Sequence, residues 1–232
     1  MRIVLFAMLA TILPACLWAE EPAPQPVLVE LFTSQGCSSC PPADALLRKL
    51  AARDDVIALA LHVDYWDYIF ADTFGKPEHT ARQYGYADRA GRRMVYTPQM
   101  IIGGSDDVVG NRPVDVNALI ARHLATAQTV ALKVQRQNGQ IRISARELTG
   151  DRHMLMVQIA RFIPLETVAI SAGENAGQTY DYANIVTDLQ DLGTWDTARP
   201  LSLSVQADGD APVVIILQRP HLGAVEAAAM LR

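Results

Sequence analysis

A short segment with two cysteines constrains the fold of this chain more than any other. Cys37 and Cys40 follow the apolar run 27–32, and apolar residues then recur at helical spacing over 43–51. A strand that leads into C-x-x-C at the start of a helix is typical of a thiol–disulfide redox site. The pattern therefore predicts a strand, a redox-active pair of cysteines and a helix, in that order.

The spacing of the cysteines assigns them different tasks. We expect Cys37 to be the exposed attacking thiol, its thiolate stabilised by unpaired amides and the helix dipole, and Cys40 to be the resolving thiol. A purely structural bridge is the alternative, but so short a loop contributes only about 2 kcal/mol in the chain-entropy model. Pro41 and Pro42 bias Cys40 away from helical geometry, which places both cysteines in a turn before the helix and weakens the dipole argument.

The N-terminus predicts export. A signal peptide is predicted over 1–19, because Arg2 precedes an apolar stretch, and the Pro-rich lead-in 20–25 follows it. An uncleaved N-terminal anchor and lipidation of Cys16 are the two alternatives. We therefore expect a periplasmic or secreted protein, which contacts a membrane only if Cys16 is lipidated.

The first part of the mature chain alternates strands and helices. Strands at 27–33 and 56–63 around the helix that follows Cys40 imply a parallel pair with a right-handed crossover. Further predicted elements are helical patches at 77–84 and 86–92, a hairpin from 100–102 and 108–109, and a helix over 113–127. We place an α/β domain at 26–127.

The second part of the chain changes to short strands. Asn138 and Gly139 form a strong hairpin turn. Predicted strands are 130–134, 141–145, 153–162, 167–171, 201–205 and 213–218, and no long helical pattern returns until the last few residues. These strands predict a separate antiparallel β domain over 128–232, with a sandwich-like arrangement.

The order of elements resembles the thioredoxin fold over 26–127, with Thr97-Pro98 ahead of the hairpin. The segments 30–44, 62–67 and 173–177 narrow the resemblance to an exported bacterial thioredoxin-like family of unknown function, domain of unknown function 1223. The implied fold class is an α/β thioredoxin-like domain followed by a small antiparallel all-β, sandwich-like domain. The family supplies no settled activity.

The resemblance to thioredoxins also implies roles for two residues of the Thr-Pro pair. It implies a cis Pro98 beside the disulfide and a Thr97 backbone that pairs with an extended substrate peptide. The plainer alternative is a proline that begins an edge strand. Two interpretations of Glu30 are also left open. It is either a carboxylate at a solvated edge or, as in thioredoxins, a buried proton acceptor for Cys40.

Further candidates follow the second strand. His62 and Asp64 should lie at the same sheet edge as Cys37, because the carboxyl ends of parallel strands share one edge. His62 is then part of a proton relay, or alternatively a hydrogen-bonded structural histidine. Trp66 is a candidate substrate contact together with Thr97, although core or rim packing is the interpretation that the sequence favours.

The leading functional hypothesis is an exported thiol–disulfide oxidoreductase-like protein that acts on protein or small thiol and disulfide substrates. We expect no cofactor, no resident metal and, at a formal net charge of −5, no nucleic-acid partner. One alternative is a Cu(I) site built from Cys37, Cys40 and His62, since soft thiolates suit Cu(I). The other is a non-catalytic binding protein on the same scaffold.

Overall fold

The computed structural model of the protein describes residues 25–207 and 209–232. The predicted signal peptide 1–19, Cys16 and all but the last residue of the lead-in 20–25 lie outside the described residues. In the described part of the chain, no helix has the length and apolar character needed to cross a membrane.

Two sheets and three helices make up the described ranges. In chain order the elements are β1 (Val27–Thr33), α1 (Pro41–Leu50), β2 (Val56–His62), α2 (Pro77–Arg89), β3 (Gln99–Ile102), β4 (Asp106–Val109), α3 (Pro113–Leu124), β5 (Val130–Gln137), β6 (Gln140–Glu147), β7 (Met154–Ala169), β8 (Thr179–Asp196), β9 (Leu201–Gln206), β10 (Val213–Gln218) and β11 (Val225–Leu231). One mixed sheet has eight strands in the order β11-β10-β7-β8-β2-β1-β3-β4, and one antiparallel sheet has the order β5-β6-β9.

The parallel strands β1 and β2 lie inside the large sheet, and every residue of both is buried. α1 and α3 cover one face, where Leu47 and Ile120 share an apolar cluster with Val29. α2 covers the other face, where Tyr86 shares a cluster with Leu28. Because both faces are covered, both strands are mainly apolar. The two strands predicted there are confirmed.

β8 joins the two predicted domains in one sheet. It is antiparallel to β7 along most of its length and parallel to β2 through the pair Ala60 and Ile185. Beside this pair, the buried Asn184 donates its side-chain N–H to the carbonyl oxygen of Ala58 at 2.8 Å. The sheet therefore continues across the boundary predicted between 127 and 128, because β8 covers an edge of β2 that the first part alone would leave unpaired.

The small sheet packs face to face on the β7 and β10 end of the large one. Ile143 of β6, Ile159 of β7 and Ile215 of β10 lie in a common apolar cluster. The second part of the chain thus forms two packed antiparallel layers, as a sandwich does. The expectation of a separate domain differs from the structure in one respect, since one of these layers is an extension of the eight-stranded sheet.

Three strands depart from the sequence-based expectation. The strands predicted at 153–162 and 167–171 form the single strand β7, and no strand was predicted where β8 lies. Acidic residues and the positive φ angles of Asn184 and Gly193 interrupt the apolar pattern of β8. At the C-terminus, where a helical pattern was expected, β11 pairs with β10 and tertiary pairing overrides the helix preference of its alanines.

Candidate redox site

The redox loop, residues 34–40, connects β1 to α1 by two successive turns. The Cys37 N–H donates to Ser34 O at 3.1 Å, and the Cys40 N–H donates to Cys37 O at 3.2 Å. Cys37 and Cys40 form a disulfide with a Cα–Cα distance of 5.4 Å. Both cysteines precede α1, as its two prolines predicted, although Cys40 itself has helical dihedrals of φ −80° and ψ −34°.

The first turn of α1 offers no unpaired amide to a thiolate. Pro41 and Pro42 have no N–H. The amides of Ala43 and Asp44 donate to Cys40 O at 2.8 and 3.1 Å. The predicted stabilisation of the thiolate by unpaired helix amides is therefore wrong for this turn, because the sequence places proline where a free donor would be needed.

The disulfide is shielded from solvent. Cys37 is 2% exposed and Cys40 is fully buried, whereas Ser38 and Ser39 between them are exposed. The Ser39 hydroxyl oxygen, Oγ, lies 3.5 Å from Cys37 Sγ. The expectation of an exposed Cys37 is therefore wrong in this conformation, because neighbouring segments pack over the loop.

Pro98 lies beside the start of α1, and its peptide bond with Thr97 is cis, as predicted. Its neighbour Gln99 pairs with Phe32, which places Pro98 at the edge of the sheet where β1 ends. Gly110 lies between Pro98 and Ala43 of α1. A Cβ on this glycine would lie 3.2 Å from Ala43 Cβ and 3.3 Å from Pro98 Cβ. Only a glycine separates the cis-proline from the first turn of α1.

Trp66 bridges the redox loop and the cis-proline segment. Its Nε1–H donates to Thr97 Oγ1 at 2.8 Å, and its Cβ would lie 3.2 Å from a Cβ placed on Gly36. Tyr68, which is 80% exposed, stacks on the Trp66 ring. In the described part of the chain, the backbone N–H and C=O of Thr97 make no backbone hydrogen bond. The structure thus brings together the two residues predicted to contact substrate.

The Glu30 carboxylate lies on the face of the sheet opposite to α1, where it accepts hydrogen bonds from residues of α2. It is 1% exposed, accepts from Arg82 Nε at 2.7 Å and accepts from the Tyr86 hydroxyl at 2.5 Å. Successive residues of a strand point to opposite faces, so Glu30 faces α2 with Phe32 while Leu31 faces α1. The solvated-edge interpretation is wrong, and the structure does not bring Glu30 to Cys40.

Asp44 is a buried carboxylic acid in the first turn of α1, and the sequence pattern assigned it no role. It follows Cys40 by one helical turn, is buried, and neither of its oxygens has a hydrogen-bond partner among the described residues. Burial raises its pKa to about 7, although His62 and the Thr33 hydroxyl lower it and Asp72 adds to the rise. The available signal was an acid four residues after Cys40 on the apolar face of α1.

His62, at the end of β2, pairs with Asp72. Its Nδ1 lies 2.7 Å from Asp72 Oδ2, and both side chains are fully buried. The same carboxylate oxygen accepts from the Gln35 amide of the redox loop at 2.7 Å. Burial raises the pKa of Asp72, but the His62, Gln35 and Phe74 hydrogen bonds lower it by more, so it lies below its usual range.

Several buried polar atoms near the disulfide are unsatisfied. His62 Nε2, Thr33 Oγ1 and both Asp44 carboxyl oxygens have no hydrogen-bond partner within 25–207 and 209–232. Thr33 and His62 are register partners in β1 and β2, at the sheet edge from which the redox loop leaves. These polar atoms lie together where β1 and β2 end, next to the loop that carries the cysteines.

The described residues around Cys37 and Cys40 offer no metal-binding arrangement. Across the described ranges, no three His, Cys, Asp or Glu side chains are grouped so that they could hold a metal ion. The histidine of the Cu(I) alternative, His62, is hydrogen-bonded to Asp72.

Comparison with known proteins decides the family. Residues 28–218 match the family described as protein of unknown function, DUF1223. The chain belongs to this family. This DUF1223 chain is 32% identical to a protein of Agrobacterium tumefaciens with a crystal structure, at a TM-score of 0.77 over 88% of this chain and 93% of that one. HBP35 of Porphyromonas gingivalis shares the fold at 13% identity, with a TM-score of 0.63 over 89% and 74% of the two chains. No curated protein matches it significantly.

Proposed function

We propose that this DUF1223 protein is an exported thiol–disulfide oxidoreductase-like protein that exchanges disulfides through Cys37 and Cys40. The observation that carries the proposal is a disulfide across only three residues at the start of α1, with the cis-proline Pro98 one glycine away from that helix. A bridge that closes so short a loop is a weak structural staple, which favours a chemical role.

We further propose that residues 26–127 form a thioredoxin-like unit. The support is the strand order β2-β1-β3-β4, with β1 and β2 parallel and β3 and β4 antiparallel, and with the cis-proline immediately before β3. α1 and α3 on one face and α2 on the other complete the arrangement.

The proposed exchange begins with a substrate thiolate that attacks Cys37 Sγ. The Cys37–Cys40 bond breaks, and its electron pair leaves on Cys40 Sγ. A second substrate thiolate then attacks the substrate sulfur of the mixed disulfide, which releases an oxidised substrate and the reduced pair. In the opposite direction, the Cys37 thiolate attacks a substrate disulfide and releases one substrate thiol. Cys40 then loses its proton and attacks Cys37 Sγ of the mixed disulfide, which releases the second substrate thiol and closes the Cys37–Cys40 bond. Asp44 is the proposed proton acceptor and donor for Cys40, because it lies one turn away and its raised pKa of about 7 suits proton transfer near neutral pH.

The proposed substrates are proteins or small molecules with an accessible thiol or disulfide. An extended peptide could pair with the unbonded backbone of Thr97 and lie beside Trp66, which is half-buried next to the exposed Tyr68. Export to the periplasm or beyond remains part of the proposal, since proteins with stable disulfides are found in oxidising compartments.

The first test is the reduction potential of the Cys37–Cys40 pair, measured in a glutathione series by mass after alkylation. A reduction potential between roughly −100 and −280 mV supports an exchange protein. A reduction potential below about −300 mV would refute the proposal, because such a bond is too stable to take part in exchange. As a second test, a Cys40→Ala chain should accumulate mixed disulfides on Cys37. The matched Cys37→Ala chain, which keeps only the resolving thiol, should not.

The same pair of variants separates the alternatives. A Cu(I) site would lose the metal in both variants, and a non-catalytic binding protein would bind its partner as well as the wild type does. Within the described residues, no group of three His, Cys, Asp or Glu side chains supports the Cu(I) site.

A further inference from the structure

The connection between β7 and β8, residues 170–178, contacts the redox loop from the far part of the chain. Backbone hydrogen bonds within it fix its shape, including Gly177 N–H to Ile170 O at 2.8 Å and Ala176 N–H to Gly173 O at 3.2 Å. Its residues are exposed except Ile170 and Asn175. It is a small, self-supporting turn structure from which Asn175 reaches into the protein.

Asn175 ties this connection to the redox loop. Its Nδ2 donates both hydrogens, to Gln35 O at 2.9 Å and to Cys37 O at 3.1 Å, on either side of Gly36. Asn175 lies 138 residues after Cys37 in the chain. One amide group from the second half of the chain therefore fixes two carbonyl groups of the redox loop.

A second segment completes a cover over the loop. A Cβ on Gly173 would lie 3.2 Å from Ile69 Cγ2 and Phe70 Cβ, and a Cβ on Gly36 would lie 3.2 Å from Trp66 O. Residues 66–70 and 170–178 thus contact each other and the redox loop, and we call them together the cover. Under the cover Cys37 is 2% exposed.

This burial is incompatible with direct exchange. An incoming thiolate has to reach a sulfur of the disulfide to form the mixed disulfide, and rates depend on that access. Neither Cys37 nor Cys40 offers a free surface for it. The cover has to move before the chemistry can begin.

We propose that Asn175 is a positioning residue that holds the cover closed on the redox loop, and that thiol attack requires release of its two hydrogen bonds. The proposal rests on the proposed function, since it describes how that site is reached. It gives the second half of the chain a role at the redox site.

The step to be measured is reduction of the disulfide by a dithiol. One thiolate of the dithiol attacks Cys37 Sγ, a new S–S bond forms, and the Cys37–Cys40 bond breaks with its electron pair on Cys40 Sγ, which takes a proton. The second thiolate of the dithiol then attacks the dithiol sulfur that is bonded to Cys37, and it displaces Cys37 as a thiolate. The dithiol ends oxidised and the two cysteines end reduced.

The experiment measures reduction of the full oxidised chain by excess dithiothreitol, stopped by alkylation and read by mass. Asn175→Ala should accelerate reduction by roughly tenfold or more, because two hydrogen bonds that hold the closed state are lost. Asn175→Asp keeps the size of the side chain but replaces the N–H donors with an oxygen that faces two carbonyl groups. It should be at least as fast, and it answers the question even if the alanine variant fails to fold.

Two controls distinguish control of access by the cover, which we call a gate, from a purely structural role of Asn175. Glu174→Ala, an exposed neighbour in the same connection, should reduce at the wild-type rate. Reoxidation by oxidised glutathione should accelerate in the Asn175 variants by the same factor as reduction, with an unchanged reduction potential, because a gate limits access in both directions.

Two results would overturn the proposal. One is wild-type rates of reduction in both Asn175 variants. The other is faster reduction with correspondingly slower reoxidation, which would mean that Asn175 only stabilises the oxidised bond. Failure of the proposed function gives a different result. A reduction potential below about −300 mV would reject exchange as the function. The ratio of reduction rates between the Asn175 variants and the wild type would still show whether the cover limits access to the disulfide.

Discussion

Asp44 follows Cys40 by one turn of α1, linked to it by an N–H to carbonyl hydrogen bond of 3.1 Å, and both residues are buried. Its carboxyl group has no hydrogen-bond partner among the described residues. For the proposed exchange, the carboxyl group of Asp44, and not that of Glu30 in β1, is the candidate proton acceptor for Cys40.

Asp44 should make stability depend on pH. In the folded chain its pKa is raised from 3.8 to about 7, mainly by burial. Between these values the folded state binds more protons than the unfolded state, so stability falls as pH rises from about 4 to about 7, by at most about 4 kcal/mol. Asp44→Asn should remove this fall. Urea unfolding of both chains across this pH range checks it, and parallel pH curves would contradict it.

Asp44→Asn should also slow exchange. Without its proton acceptor, Cys40 should attack the mixed disulfide roughly 100-fold more slowly at pH 7, the low end of general acid–base effects. The step near pH 7 in the rate profile for oxidation by oxidised glutathione should disappear. Asp44→Glu, which keeps the carboxyl group, is the matched control and should retain a titrating step. An unchanged profile in the asparagine variant would show that Asp44 moves no proton.

Glu30→Gln should act on stability and not on redox chemistry. It leaves the Arg82 guanidinium, 6% exposed in its side chain, without its carboxylate partner at 2.7 Å, which should cost about 3–5 kcal/mol of unfolding free energy. The exposed pair Arg48 and Asp181 is the comparison, since Arg48→Ala should cost less than about 1 kcal/mol. Urea unfolding measures both, and a changed reduction potential in Glu30→Gln would contradict the assignment.

A fragment that ends at residue 127 should not fold. It would lose β8 beside β2, and it would lose Phe162, Val186 and Val214, which share an apolar cluster with Leu28. The full chain should unfold in urea in one transition for the same reason. Hydrogen exchange of the fragment gives the answer, and protected amides in β1 would show that 26–127 is an independent domain.

The local pattern predicted the first part of the fold and the cysteine site well. The signals are the spacing of apolar residues and the positions of proline and glycine, which are local properties. They predicted the strand at 27–33, the helix after Cys40 and the hairpin around 103–105. The DUF1223 motifs likewise identified the family. These features could be predicted because each is encoded within a few consecutive residues.

Long-range pairing could not be predicted in the same way. The position of β8 depends on its contact with β2, and its acidic residues conceal the buried centre around Ile185. The partner of His62 is Asp72, ten residues on, in a loop whose path the sequence does not encode locally. Asn175 is polar in an otherwise exposed connection, and only the fold shows that it reaches Gln35 and Cys37.

The two prolines at the start of α1 bear on the direction in which electrons flow. Strongly oxidising thiol pairs owe that character to a stabilised reduced form, in which a helix terminus helps to hold the attacking cysteine as a thiolate. Pro41 and Pro42 have no N–H, and the next two amides are bonded to Cys40 O. The first turn of α1 therefore has no free N–H to donate to a reduced Cys37. For the proposed exchange, we expect this pair to give electrons to its partners more readily than a pair with such donors would.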